Sequence, residues 1–508
     1  MTRRRTRVHH HVVAFVSCLA AAFVPSMILM PAYATPPLHL PHFPGALQLT
    51  ADFPYGLTQG EPNIKADRNG NLYVMAAGST PIGCELWTLP PGGRTSTFRG
   101  APDSGAGGGD CDLAFSPDVP AGQSAQTLTY ASLTLPDITV GSSTDNGSTW
   151  TTPNPVGSQI VADDRQWLAA AGGNTFYLSS HIVASDNIAV SKSTDGGQTY
   201  SFVGMAIDAA HLPQAAYNNE LSPIVVDVTS PANPKPVYTM FSAPSSAAAN
   251  ANSAAGTTYN NNNGLYLASS FDGGVTWADT PIYIGPPTAS YNHIFPTLSI
   301  DTSGQLWASW SDDLHVYVSH ATTRASTASL PTGTSLFDPD AGAMVVPETL
   351  TSLTNAPPGT LAWTSPVQLD PPGTTANVFA WVAGGGPDRA DVVWYSATGS
   401  GTGPDDPTAQ WIVRYAGVHE TKKGLAVIPQ VASSHVMHVG QICETGINCS
   451  INGNRDLLDF LEVTITPDGR AAIAWSDDTA APPAAQIYVA EQCDGVNALT
   501  GDQLPSTC

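Results

Sequence analysis

Charge is scarce in this chain. Charged residues make up 12% of its 508 positions, against about a quarter in ordinary soluble domains. Basic residues are scarcer still: 18 Lys and Arg stand against 41 Asp and Glu, for a formal charge of −23. Such a chain repels phosphate backbones, which argues against nucleic acid as a partner. Its surface must rely on Ser, Thr, Asn and Gln. Long apolar runs are also lacking. Val12–Val24 is an apolar stretch of 13 residues, short of the ~20 a spanning helix needs. No other segment is suited to crossing a bilayer. Long helical periodicity is nearly absent, and no Gly-x-Ser-x-Gly, zinc or phosphate-loop motif occurs. No cofactor or metal is expected.

The apolar run follows the basic start MTRRRTRVHHH and precedes Ala32-Tyr33-Ala34. That order predicts a secretory signal over residues 1–34, cleaved after Ala34, and an extracellular, soluble, monomeric product. The leader carries four arginines and no acid, so without it the charge becomes −27 and 14 Lys and Arg remain. Of seven cysteines, Cys18 lies in the leader. The other six are an even set in an exported chain, which reads as disulfides. Pairing neighbours gives Cys84–Cys111, Cys443–Cys449 and Cys493–Cys508. His435, His438, Cys443 and Cys449 are the alternative zinc set, which an oxidising exterior disfavours.

What is plentiful is turn-forming sequence, with 46 Gly and 43 Pro. One turn recurs: SSTDNGSTW ending at Trp150, STDGGQTY at Tyr200 and SSFDGGVTW at Trp277. The shared form is Ser-x-Asp-x-Gly-x-Thr-aromatic. Its aspartates are Asp145, Asp195 and Asp272, the first two 50 residues apart. Each box offers one carboxylate, too few for a calcium loop. Asp accepts backbone N–H groups and Gly supplies a positive φ, so the box is read as architecture. Between boxes lie hairpins such as PNIKADRNGNLYVMA and PTLSIDTSGQLWASWSDD.

Seven hairpin units start near Glu61, Asp112, Arg165, Glu220, His293, Asn377 and Asp459. Repeats near 50 residues imply stacked strand-rich units. The prediction is an all-β fold, a β-propeller forming one domain over residues 35–508. Seven blades are counted, or six if two hairpins share a blade. A strand near residues 43–53 has no unit of its own and is expected to close the last blade.

The boxes resemble the Asp-box, or bacterial neuraminidase repeat, of the sialidase superfamily. The resemblance spans three boxes and the hairpin pattern, hence most of the chain after the leader. It implies a secreted, sialidase-like glycoside hydrolase of exo-α-sialidase type, acting next to an acidic sugar on an extracellular glycan. Family members grip a carboxylate with three arginines and use an Asp acid/base and a Tyr nucleophile helped by Glu. The first arginine motif is missing: its place reads Gly60-Glu61-Pro62-Asn63. A non-catalytic glycan- or protein-binding propeller, or a polysaccharide lyase, are the other readings.

Propeller geometry would bring inner-strand starts and second-strand ends to one mouth. On that basis Arg165, Arg389 and Arg455 are candidate carboxylate anchors, since arginine offers a fixed bidentate charge; neutralising Asp164, Asp388 and Asp456 is their plainer role. Asp112 or Glu61 is the acid/base candidate, Tyr395 the nucleophile and Glu220 its helper, with His293 and Asp459 lining the site. The WSDD pairs, Asp312/Asp313 and Asp477/Asp478, are read as strand-end caps. Trp307, Trp310, Trp381, Trp394 and Trp475 are read mostly as core.

Overall fold

The computed structural model describes residues 40–506 except 52–54, 56–58, 79–82, 93, 105–108, 134–136, 157–162, 183–184, 216–219, 247–261, 292, 323–335, 339–342, 347–360, 400–402, 445–454, 456 and 480–484. Residues 1–34, the expected leader, and Cys449 and Cys508 fall outside the described residues.

Strands dominate because short β-branched and aromatic runs alternate with Gly and Pro turns. Among the described residues the one helix is a single turn, Leu212–Ala215. The strands form seven antiparallel sheets around an axis, so the chain is a seven-bladed β-propeller and the six-blade count falls away. The inner strands are Gly60–Ala66, Cys111–Phe115, Asp163–Ala170, Val225–Val226, Thr297–Ile300, Asn377–Gly384 and Glu462–Ile465. Blade 3 shows the pattern, running Asp163–Ala170, Phe176–Ile182, Asn187–Ser193 and Ser201–Met205 from axis to rim. Blade 6 is wider: the hairpin Leu336–Asp338 and Ala343–Val346 adds to its outer strand, Gly424–Val431.

Blade 7 takes its fourth strand from the other end of the chain. Leu47–Gln48 pairs antiparallel with Gln486–Glu491, Leu47 opposite Val489 and Gln48 opposite Tyr488. The Leu49 N–H donates to the Ile487 carbonyl and extends that ladder. Both sheet edges that an open ring would expose are thereby paired.

Three turns repeat one geometry. In each, the Asp carboxylate accepts the backbone N–H groups three and four residues on and the Thr hydroxyl at 2.6 Å. The preceding Ser (Ser143, Ser193, Ser270) donates to the same carboxylate and accepts the N–H of the Gly four residues on (Gly147, Gly197, Gly274). These bonds hold all three carboxyls below the usual range, Asp272 at about 2. The turn of blade 3 rests on the hairpin between that blade's first two strands, with the Gly196 N–H donating to the Asn174 carbonyl. The boxes therefore lie at the end of the ring where inner strands finish, opposite their starts.

Aromatic rings plug the axis. Trp167 of blade 3 meets Phe295, Trp381 and Phe460, which lead into or lie on blades 5, 6 and 7, at 5.3–5.7 Å between centroids. Trp307, Trp310, Trp381, Trp394 and Trp475 are all buried, as core residues should be.

Candidate functional site

At the open end of this plug the inner strands of blades 1 and 3 carry bulges. Pairing slips between Gly60 and Asn63, and between Asp164 and Gln166. The bulged residues, Glu61 at φ 52° and Arg165 at φ 28°, sit in the left-handed region, which a non-glycine side chain occupies at a cost of order 1–3 kcal/mol. Bulges of this kind re-aim a side chain beside a site. Here they turn Glu61 and Arg165 toward each other.

Arg165 Nη1 lies 2.9 Å from Glu61 Oε2 and 3.6 Å from Asp110 Oδ1. Nη2 donates to the Cys111 carbonyl at 3.1 Å. The guanidinium lies over the faces of Trp167, at 3.9 Å, and Phe460, at 4.4 Å. Asp110 is held by the disulfide next to it, Cys84–Cys111, and accepts the Arg165 N–H. Arg455 reaches Asp459 at 2.5 Å. Glu220, just ahead of the blade 4 strand, feels the charges of Asp459 and Asp164.

This crowding moves the acids upward. Burial, then the charges of Asp459 and Asp164, push Glu220 up to about 8. Burial and then Asp110 push Asp164 up to about 6, against the pull of Arg165. Glu61 is raised by burial, Asp110 and Asp459, and Asp459 by burial, which Arg455 opposes. Between pH 6 and 8 Asp164 is mostly ionised while Glu220 is mostly protonated. Both are partly open to solvent. The arrangement holds one proton donor and one proton acceptor under the same conditions.

Glu61, Arg165, Glu220, Arg455 and Asp459 are thus brought together. Arg165 differs from its expected role: 4% exposed and with both terminal nitrogens engaged, it organises the acids rather than offering a free fork to a substrate. Asp112 is buried and committed elsewhere. Its carboxylate accepts the Leu113 and Leu168 N–H groups and lies 3.7 Å from Lys65 Nζ, which also pairs with Glu462. That set ties blades 1, 2, 3 and 7 together and makes Asp112 a strut.

Two further expectations are corrected. Tyr395 is fully buried in the central core, its hydroxyl accepting the Ser476 N–H at 3.2 Å, and burial pushes it far above the ordinary tyrosine range. A nucleophile there cannot meet a substrate. Arg389 closes the hairpin between the first two strands of blade 6, where the Gly385 N–H donates to its carbonyl. That is the end of the ring where the recurring aspartate turns lie. Its guanidinium packs where a side chain on Gly501 would stand, near Asp388, Asp391 and Asp502.

His293 lies at the mouth side of blade 5, its Nδ1 2.6 Å from Asp313 Oδ1 and 3.8 Å from Glu444 Oε2. Asp312 caps its turn by accepting the Leu314 and His315 N–H groups. His435 and His438 pair with Asp477 and Asp478, each at 2.8 Å, rather than forming a metal set with cysteine. Cys443 and Cys493 are in disulfides; their expected partners lie outside the described residues. Asp110 and Glu444 escaped the sequence reading. A carboxylate beside each of two cysteines was the available signal.

A cleft of about 650 Å³ lies elsewhere. It opens at the end of the recurring aspartate turns, on the seam of blades 7 and 1, between Pro44–Leu47, Arg68, Arg94 and Arg470. A second, of about 610 Å³, lies between Asp312–Leu314 and Gly403–Pro407 at the mouth end. The seam cleft is lined mainly by arginines and apolar residues rather than by a carboxyl cluster.

No protein-family model matches the chain, and neither does any curated protein. Similar solved structures include a GH74 enzyme from Niastella koreensis, at 15% identity and TM-score 0.43, covering 88% of this chain and 55% of that one. A Hadza microbial sialidase matches at 12% identity and TM-score 0.37, over 74% of this chain and 66% of its own. An alpha-L-arabinofuranosidase from Fusarium graminearum matches at 10% and 0.37, over 90% and 98%. The chain spans about half the length of the GH74 enzyme. Likeness at these identities concerns the fold alone.

Proposed function

We propose that this propeller acts on extracellular glycans as a glycoside hydrolase, with Glu220 as proton donor and Asp164 as proton acceptor. Cleaving a glycosidic bond commonly takes one protonated carboxyl and one carboxylate. The observation carrying the reading is the convergence of Glu61, Asp110, Asp164, Glu220 and Asp459 on Arg165 and Arg455 at one mouth, where burial and neighbouring acids raise Glu220 further than Asp164. Arg165, Glu61, Asp110 and Asp459 serve by fixing the local field.

The charge balance narrows the substrate. Glu61, Asp110, Asp164, Glu220 and Asp459 stand against Arg165 and Arg455. Both guanidiniums are already engaged, Arg165 with Glu61 and the Cys111 carbonyl and Arg455 with Asp459, so neither offers a free fork to a carboxylate and a neutral sugar fits better than a sialic or uronic acid. Export is part of the same reading, supported by the leader-like residues 1–34 and by the Cys84–Cys111 bridge.

The test is turnover of a panel of neutral oligosaccharides and polysaccharides, with sialosides and uronates alongside. Glu220→Gln and Asp164→Asn should each lower kcat by about 10²–10⁴, the range for acid–base groups. Glycan binding without product at any pH would replace the hydrolase with a binding propeller. Turnover of acidic sugars alone would refute the electrostatic argument.

A further inference from the structure

The group His293, Asp313 and Glu444 stands apart from the carboxyl pair and asks for a cation. Their nearest N and O atoms all lie within 4.8 Å of one another. His293 Nε2 faces the Ser290 carbonyl at 3.2 Å. A carbonyl only accepts, so Nε2 carries the hydrogen, and in the neutral ring Nδ1 presents its lone pair. That lone pair points at Asp313 Oδ1, 2.6 Å away, with Glu444 Oε2 at 3.8 Å. The ring nitrogen and the two carboxyls, which are hydrogen-bonded to each other, thus converge on one space.

Only a proton or a metal ion can occupy such a space without repulsion. Several features favour the metal. A ring nitrogen oriented by a backbone carbonyl on its far side is the arrangement that fixes ligating histidines. Glu444 is 7% exposed, yet its Oε1 is buried with no hydrogen-bond partner among the described residues. Asp313 is at φ 74°, held there while the Asn377 N–H donates to its carbonyl; its side chain accepts no backbone N–H among the described residues. Asp313 also lines the 610 Å³ cleft with Asp312, Asp405 and Asp406, so an ion has an approach of matching charge.

A second trio, Asp208, His211 and Asp279, makes a useful contrast. There Asp208 accepts the Ala210, His211 and Asp279 N–H groups, and Asp279 accepts the Asp208 N–H. Those carboxylates are spent on the backbone as a clip between the loop after blade 3 and the outer strand of blade 4, Ala278–Ile284. Around His293 they are not.

We infer that His293, Asp313 and Glu444 form a binding site for one divalent transition ion at the mouth-side rim between blades 5 and 6. One imidazole and two carboxylates suit Zn²⁺, Co²⁺ or Mn²⁺ rather than Ca²⁺ or Mg²⁺, which prefer all-oxygen shells. The inference is independent of the hydrolase reading, because metal binding is measured directly.

The experiment takes the full chain stripped with chelator and titrates Zn²⁺, Co²⁺, Ca²⁺ and Mg²⁺ by calorimetry in two buffers of different ionisation heat. The expected result is one Zn²⁺ or Co²⁺ per chain, with visible Co²⁺ bands and release of protons that the trio shares when metal-free. Asp313→Asn should weaken binding by more than about 100-fold, beyond the loss usual for an outer-shell partner. Asparagine tolerates the left-handed backbone of position 313, so this variant should keep the wild-type circular dichroism. Glu444→Gln is the second variant, and Asp406→Asn should leave the stoichiometry unchanged. Absence of a one-to-one Zn²⁺ or Co²⁺ complex, binding of Ca²⁺ alone, or full affinity in both Asp313→Asn and Glu444→Gln would overturn the site.

Discussion

Replacing Arg165 by Met tests how the mouth is held together. Arg165 and Glu61 are 4% and 3% exposed and 2.9 Å apart. Removing one partner of a buried pair leaves the other charge uncompensated, at about 3–5 kcal/mol. Loss of the guanidinium from above Trp167 and Phe460 adds about 0.5–2 kcal/mol. Met fills much of the stem volume, so a cavity contributes little. Arg165 also pulls the Glu61 carboxyl downward; without it Glu61 holds its proton to higher pH. The penalty should therefore grow with pH and be smaller at pH 5 than at pH 8. Urea denaturation at both pH values measures it, with constant m as the check that the unfolded state is unchanged. Adding Glu61→Gln removes the orphaned charge and should restore about 2–3 kcal/mol, read from a double-mutant cycle. A penalty below about 1 kcal/mol, equal penalties at the two pH values, or no rescue by Glu61→Gln would refute the pairing as the organising contact.

Activity on a neutral glycan should follow a bell with limbs near pH 6 and 8, and Glu220→Gln should abolish the alkaline limb; a flat profile across that window contradicts the acid–base assignment. Stability should fall as pH rises from 6.5 to 8. Asp391, Glu220 and Asp279 sit at about 7, 8 and 8 when folded, so the native state binds more protons than the unfolded chain in that window. His181 and His419, lowered to about 4 by burial, oppose this only below pH 6.5, and a Tm that rises from pH 6.5 to 8 would break the argument. Tyr395→Phe should lower stability by about 1 kcal/mol through the lost Ser476 hydrogen bond and leave kcat intact; a large loss of kcat would return Tyr395 to the chemistry. Asp195→Ala removes the acceptor for the Gln198 and Thr199 N–H groups, with an expected cost of about 1–2 kcal/mol in urea and no change in kcat.

Much of the architecture was legible because its causes are local. The box Ser-x-Asp-x-Gly-x-Thr closes on itself within a few residues, so Asp145, Asp195 and Asp272 could be assigned from sequence alone. Hairpin spacing then supplied the blade count. The mouth was legible in part: Glu61, Arg165, Glu220, Arg455 and Asp459 all lie near inner-strand starts. What escaped depended on single-residue shifts. The bulges at Glu61 and Arg165 turn those two side chains toward each other, and no alternation pattern announces a bulge. Tyr395 was misread because alternation along VVWYS does not say which face of an inner blade layer meets the core. Arg389 was grouped with the mouth although its hairpin reverses at the far end. Glu444 and Asp110 had no periodic signal, since each is placed by a loop.

The strand Leu47–Gln48 has a consequence for how the molecule is made. Gln48 and Tyr488 touch across 440 positions of sequence, so the earlier strand waits for one translated much later. Blades 1 to 6 can assemble in order of synthesis, while blade 7 is a clasp that shuts only when both ends are present. Deleting either Leu47–Gln48 or Gln486–Glu491 should open the same clasp. Relocating the ends to a surface turn between other blades, with the old ends joined, would turn the clasp into an ordinary blade and free the ring from that wait.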